Sequence, residues 1–146
     1  RAKPRKEEVS LASNVDIAPT ILAAAGLSVP AAMAGINLLD DEATKARKAV
    51  FLEDFAHDMA APDAPEKTLE GRGVISGDWK LLVMKPSKAA PSGTTHLFNL
   101  KNDPKEVHDL AGANPQKVEE LLGVLNGWWN PQASGPKKTS ANPNNQ

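Results

Sequence analysis

The chain has 146 residues, 24% of them charged, and a formal net charge of -1, a length that suits one domain or the end of a larger one. This near-neutral balance gives no electrostatic reason to expect nucleic acid or an anionic membrane as partner. Cysteine is absent, which excludes disulfides, thiolate metal sites and a cysteine nucleophile, and no apolar run approaches the roughly 20 residues that span a bilayer.

Residues 1 to about 15 read as an exposed, basic lead-in joined to a short apolar strand or loop. The opening RAKPRKEEVS is charged, lacks the apolar core of a signal peptide and has no initiator Met, a start expected of a fragment or a processed product. A helix is predicted next. Asp16 is placed to cap it with its carboxylate, Pro19 falls in its first turn, and Gly26 supplies a left-handed stop. Ile17, Ile21, Leu22 and Ala25 recur at helical spacing with almost no charge beside them, so this face is expected to be buried against something larger.

Leu27 to Asp41 reads as an irregular crossover that pins Leu38 and Leu39 into the core, and Thr44 to Lys48 as a charged, exposed stretch. Ala49 to Glu53 is the first convincing strand, and Ala60 to Gly71 a loop carrying Pro62 and Pro65. Arg72–Ser76 and Trp79–Met84 form a predicted hairpin, joined at Gly77-Asp78, where glycine in the first central position fits a type II′ turn. Trp79, Leu81 and Val83 should share one face of its second strand, and Lys80, Leu82 and Met84 the other. His96–Leu100 is a short strand closed by Asn102-Asp103-Pro104. Asn114 and Pro115 then open a last helix with Val118, Leu121, Leu122 and Leu125 on one side, and Trp128 and Trp129 follow as anchors against the sheet. The segment after Pro131 lacks periodicity and reads as disordered. The predicted class is α+β: a small antiparallel sheet of three to four strands packed by the C-terminal helix, with the N-terminal helix packed elsewhere.

The densest polar cluster is Glu53-Asp54-Phe55-Ala56-His57-Asp58. Two carboxylates, an imidazole and a third carboxylate at a strand end can bind a metal or a polar substrate. Strand ends carry solvated charges in most proteins, and a hard metal needs ligands converging from several segments. Arg72 and Lys80, on neighbouring strands, can together hold a sulfate or carboxylate; alternatively each points to water or pairs with Glu70 and Asp78. Read by itself, the chain shows no complete catalytic constellation: no nucleophile elbow, phosphate-cradling glycine loop or zinc spacing.

Several segments, in order, resemble sulfatases. Val15-Asp16-Ile17-Ala18-Pro19-Thr20-Ile21-Leu22 with Ala25-Gly26 resembles the VDIxPTLLxLAG helix of that family, and Gly35-Ile36-Asn37-Leu38-Leu39 the segment that follows it. Gly77-Asp78-Trp79-Lys80-Leu81, Leu97-Phe98-Asn99-Leu100 and Asp103-Pro104-Lys105-Glu106 with Asp109-Leu110-Ala111 resemble its C-terminal pattern. The likeness runs from about Val9 to Trp129, with a flavour similar to arylsulfatases and heparan N-sulfatase of the alkaline-phosphatase superfamily.

The resemblance implies that residues 1–48 are the tail end of a large α/β domain, 49–130 a C-terminal subdomain and 131–146 a disordered tail. It implies hydrolysis, by an intact parent, of sulfate esters or N-sulfates of a sugar or aryl substrate, with sulfated small molecules or polysaccharides as partners. Glu53, His57, Asp58 and Arg72 become candidates for substrate recognition at the cleft rim. Formylglycine and calcium, which the family uses, have no counterpart in this sequence and are expected in a missing N-terminal part. The chain alone is therefore expected to be inactive, and family analogy points to a periplasmic or secreted parent. The competing reading is a free-standing α+β interaction or carbohydrate-binding module. Such a module must bury Ile17, Ile21 and Leu22 in its own fold, whereas a fragment leaves them as an exposed apolar patch. A nearer alternative is a phosphate-ester hydrolase of the same superfamily.

Overall fold

The computed structural model describes residues 10–57 and 64–131. The candidate Asp58 and the tail from 132 onward lie outside the described residues. Two compact units are present, one ending at Val50 and one beginning at Phe51.

In the first unit a 3-10 turn at Asn14–Asp16 runs directly into helix α1, Ile17–Ala24. Pro19 is buried in the first turn, where a missing N–H costs little. Gly26 leaves the helix at φ +73, and the Leu27 N–H reaches back to the Leu22 carbonyl at 2.9 Å, the six-to-one bond of a glycine-terminated helix. The expected capping by Asp16 is corrected. Asp16 stands at the N-cap, but its side chain caps nothing in α1.

Instead that carboxylate, fully buried, is a hub. It accepts from the Ser13 N–H at 2.7 Å and the Ile36 N–H at 2.9 Å, and both of its oxygens accept from Arg47, at 2.5 and 2.7 Å. Burial pushes its pKa up, but the bonds from Arg47, Ile36 and Ser13 outweigh burial and hold it below its ordinary value. Gly35 makes the approach possible, because a Cβ there would lie 2.1 Å from the Val15 carbonyl oxygen. Thr20 adds a second tie, donating to the Asp16 carbonyl at 2.6 Å and accepting from the Leu38 N–H at 2.9 Å. Two exposure expectations are corrected as well: Leu39, expected in the core, is exposed, whereas Thr44 and the Arg47 side chain, expected in water, are largely buried. Asp41–Ala46 is a helix, α2. Asp40 caps it by accepting from the Glu42 and Ala43 N–H groups at 3.0 and 3.1 Å.

The second unit is the predicted α+β layer. Strands β1 (Val50–Phe55), β2 (Leu69–Ser76), β3 (Trp79–Met84) and β4 (Thr94–Asn99) lie in the order β1-β2-β3-β4. β2 starts three residues before the expected Arg72, at Leu69. Gly77 has φ +56, and Asp78 has no positive φ, as a type II′ connection requires. The register Arg72↔Val83, Val74↔Leu81 and Leu81↔Leu97 puts these residues on one face. Helix α3, Pro115–Trp128, lies against β2 and β3. Val74, Leu81 and Leu97 are fully buried, as are Leu121 and Leu125 of α3 to within 2%. Five such side chains give on the order of 10 kcal/mol of transfer free energy before chain entropy is subtracted.

Beyond β4 the Asp103-Pro104 turn sends the chain back along the sheet edge. Asp109 accepts from the Leu97 N–H at 3.0 Å and from the Ala111 N–H at 2.9 Å. The Leu110 N–H in turn donates to the Leu97 carbonyl at 2.8 Å. Glu106 sits at φ 55, a left-handed conformation unusual for a residue with a side chain, and its carboxylate grips Lys80 Nζ at 2.7 and 2.8 Å.

Candidate functional site

Strand alternation decides where the candidate residues point. Arg72 is on the α3 face of β2. Its Nη1 donates to the Trp129 carbonyl at 2.5 Å and its Nη2 to Asn126 Oδ1 at 2.6 Å. Both acceptors belong to the C-terminal end of α3, where unpaired carbonyls carry partial negative charge. Burial pushes the Arg72 pKa down, but a guanidinium remains charged at any ordinary pH. Lys80 is on the opposite face, engaged with Glu106. The structure therefore does not bring Arg72 and Lys80 together as one anion-binding pair. The alternative partners are also reassigned: Glu70 pairs with Lys85, and Asp78 lies 3.9 Å from Lys101.

Glu53 falls between Phe51 and Phe55 on β1, and residues two apart on a strand share a face. Phe51 stacks on Trp128 with centroids 4.4 Å apart and planes 5° from parallel. Phe55 meets Trp129 at 6.4 Å and 37°, and the two indoles meet edge to face at 6.3 Å and 87°. The Glu53 carboxyl thus emerges between two aromatic contacts. Partial desolvation pushes its pKa above the ordinary value, although the residue as a whole is exposed. His57 is exposed in the bend that follows β1. Glu53 and Arg72 hence share a sheet face with the end of α3, and His57 lies on the chain just beyond them.

Asn126 and Trp128 complete this arrangement. Neither was a candidate site residue from sequence: Asn126 follows Leu125 with no pattern of its own, and Trp128 reads as a core anchor. The usable signal was the Trp128-Trp129 pair at a helix end opposite the strand Phe51-Leu52-Glu53-Asp54-Phe55, although only the register shows which rings meet. A shallow, open groove of about 360 Å³ lies along the ends of β2 and β3, lined among others by Glu66, Glu70, Arg72, Met84, Lys85 and Ser92. Its charged groups are already engaged, Arg72 with the end of α3 and Glu70 with Lys85. Among the described residues no three His, Asp or Glu side chains converge where a cation can sit.

Comparison with known proteins gives a consistent set of likenesses. A family model described as N-sulphoglucosamine sulphohydrolase, C-terminal, matches residues 1–126. Arylsulfatase K of Xenopus laevis is 26% identical over 127 residues, covering 83% of this chain and 23% of its own length. A protein solved in complex with its substrate D-glucosamine-2-N,6-O-disulfate superposes with a TM-score of 0.57 at 24% identity, over 81% of this chain and 24% of that one. Ps i-CgsB in complex with k-i-k-neocarrahexaose gives 0.54 at 19% identity, over 80% and 24%. The phosphonate monoester hydrolase of Agrobacterium radiobacter gives 0.54 at 20%, over 77% and 23%. At these identities the structural likenesses are likenesses of fold. The chain spans about a quarter of the length of each of these relatives.

Proposed function

Because the chain belongs to the family of N-sulphoglucosamine sulphohydrolase C-terminal domains, we propose that it serves as the C-terminal part of a sulfatase. That enzyme hydrolyses sulfate esters or N-sulfates of a sugar or aryl compound, with sulfated carbohydrate as the favoured substrate class. The names of the relatives support this choice: arylsulfatase K, and a protein whose substrate is a disulfated glucosamine.

The observation that carries the proposal is the apolar face of α1. Ile17 and Ile21 are 57% and 62% exposed, flanked by Val15 at 53% and Leu27 at 59%. Four large aliphatic side chains in water around one short helix are costly, at up to about 1.5–3 kcal/mol of forgone burial for each. A free-standing module has no reason to keep them. A segment that completes a larger core does, and the family, which is a C-terminal one, supplies the larger core.

On this reading the reacting groups come from outside the present residues. Calcium and formylglycine act there, and this chain contributes recognition at the rim through Glu53, His57, Asp58 and Arg72. Arg72 does so indirectly if its guanidinium keeps its hold on α3, since it then fixes the surface on which Glu53 stands. The test has two steps. The coding sequence upstream of Arg1 is read for a CxPSR or SxPSR motif, and the encoded polypeptide is assayed for sulfate release from N-sulfated and O-sulfated glucosamine and from an aryl sulfate. Sulfate release is expected. An open reading frame lacking the motif, or hydrolysis of phosphonate or phosphate monoesters in preference to sulfates, overturns the reading.

A further inference from the structure

We propose that the end of α3 and strand β1 form a glycan-binding platform, on which the outer face of Trp128 stacks against a pyranose ring and Glu53 accepts from its hydroxyls. This rests on the sulfatase reading for the choice of glycan, and adds to it a binding element.

The indole of Trp128 is built to present a face. One side is occupied by Phe51, parallel to within 5° at 4.4 Å. Trp129 meets this indole roughly at right angles, with centroids 6.3 Å apart and planes at 87°. Yet Trp128 remains 42% exposed. A large aromatic ring held from behind and left open in front loses little entropy when a ligand covers it. Its negative π-face attracts the weakly positive C–H groups on the flat side of a sugar ring, by the same quadrupole that orders aromatic pairs.

The mounting is rigid. Arg72 fixes the helix end through the Trp129 carbonyl and Asn126, and Phe55 supports Trp129 from β1. The platform also has a polar side. Glu53 rises between Phe51 and Phe55, the rings that carry the two tryptophans, and is exposed to solvent. Stacking surface beside a hydroxyl acceptor is the composition that saccharide recognition needs. A protein partner would instead call for a wider apolar patch, and on α3 the other large apolar side chain left exposed is Val124, one turn before Trp128.

The test uses the full chain and glucosamine-containing disaccharides, N-acetylated and N-sulfated, in separate titrations. Binding is read by saturation transfer from protein to sugar ring protons and by tryptophan fluorescence. A Trp79→Phe, Trp129→Phe background makes Trp128 the sole indole reporter. Saturable transfer focused on one face of a ring is expected, with quenching of Trp128. Trp128→Ala should weaken binding at least tenfold, Trp128→Phe should retain part of it, and Glu53→Gln should weaken it severalfold, with unchanged near-ultraviolet circular dichroism of the remaining aromatics. Absence of transfer at millimolar disaccharide, or equal binding by the folded Trp128→Ala variant, overturns the proposal. Because no readout depends on sulfate release, failure here is distinguishable from failure of the sulfatase reading.

Discussion

Asp16 shows how one side chain can tie together the chain from Ser13 to Arg47. Its four donors are the Ser13 and Ile36 N–H groups and the Nη1 and Nη2 of Arg47. Removing the cation alone would strand a buried carboxylate, so Arg47→Met should cost about 3–5 kcal/mol. The Asp16→Asn, Arg47→Met double variant should lose less than the sum of its parts, a coupling measurable in chemical denaturation. Because the Asp16 pKa is lowered, its stabilisation is complete above the usual 3.8 and disappears as pH falls through the lower folded value. Acid unfolding of wild type should therefore show a step in that window that Asp16→Asn lacks. Glu53 has the opposite sign. Its raised pKa means that its ionisation opposes folding, an effect that enters as pH rises through the ordinary glutamate range and persists above it. Glu53→Gln should accordingly stabilise the fold by a few tenths of a kcal/mol at neutral pH, since the exposed part of the carboxyl is screened. A lower melting temperature for that variant would show the carboxylate to be a structural acceptor. The sequence placed Asp16 correctly at a helix start, but a capping pattern and a long-range carboxylate hub begin with the same residue. Nothing within four residues distinguishes them; Gly35 and Arg47 do, from 19 and 31 positions away.

Elements with strong periodicity were readable. The hairpin, the faces of β3 and the buried stripe of α3 follow from alternation and from leucines at helical spacing. α2 was not, because DEATKA has no apolar period and its six residues depend on the Asp40 cap. The Arg72 contacts were invisible for a different reason: they join residues 54 and 57 positions apart, and one acceptor is a backbone carbonyl. Charge-assisted bonds of this kind are worth roughly 1.5–3 kcal/mol. Arg72→Ala should destabilise by about that much, with the loss of hydrogen-exchange protection concentrated in the last turn of α3. Glu106 sets two effects against each other. A non-glycine residue at φ 55 costs about 1–2 kcal/mol, and its partly buried ion pair with Lys80 returns about 1 kcal/mol. Glu106→Ala keeps the strain and loses the pair, so it should destabilise by about 1 kcal/mol. Glu106→Gly loses the pair and relieves the strain, so thermal melting should find it within about 0.5 kcal/mol of wild type.

At the scale of the molecule, the two units differ in how self-sufficient they are. The second buries leucines from sheet and helix alike; the first leaves Ile17 and Ile21 in water. That contrast supports the proposed reading, and the chain spans about a quarter of its relatives' length. Replacing Ile21 by Asp should leave the melting of this chain almost unchanged, because little is buried there. If the chain completes a sulfatase as proposed, the same change should sharply lower the yield of active full-length enzyme. Equal destabilisation of the isolated chain would mean that the face is already in use. The sheet itself carries a further consequence. Order β1-β2-β3-β4 leaves β4 at an edge, where open backbone groups would recruit a strand from another molecule. The returning Asp103–Leu110 turn takes both groups of Leu97, the carbonyl through the Leu110 N–H and the N–H through Asp109. The carboxylate also carries a charge into the path of any incoming strand. Asp109 thus guards against the cross-molecular pairing that leads to aggregates, and its loss would be felt first as a shortened shelf life in concentrated solution.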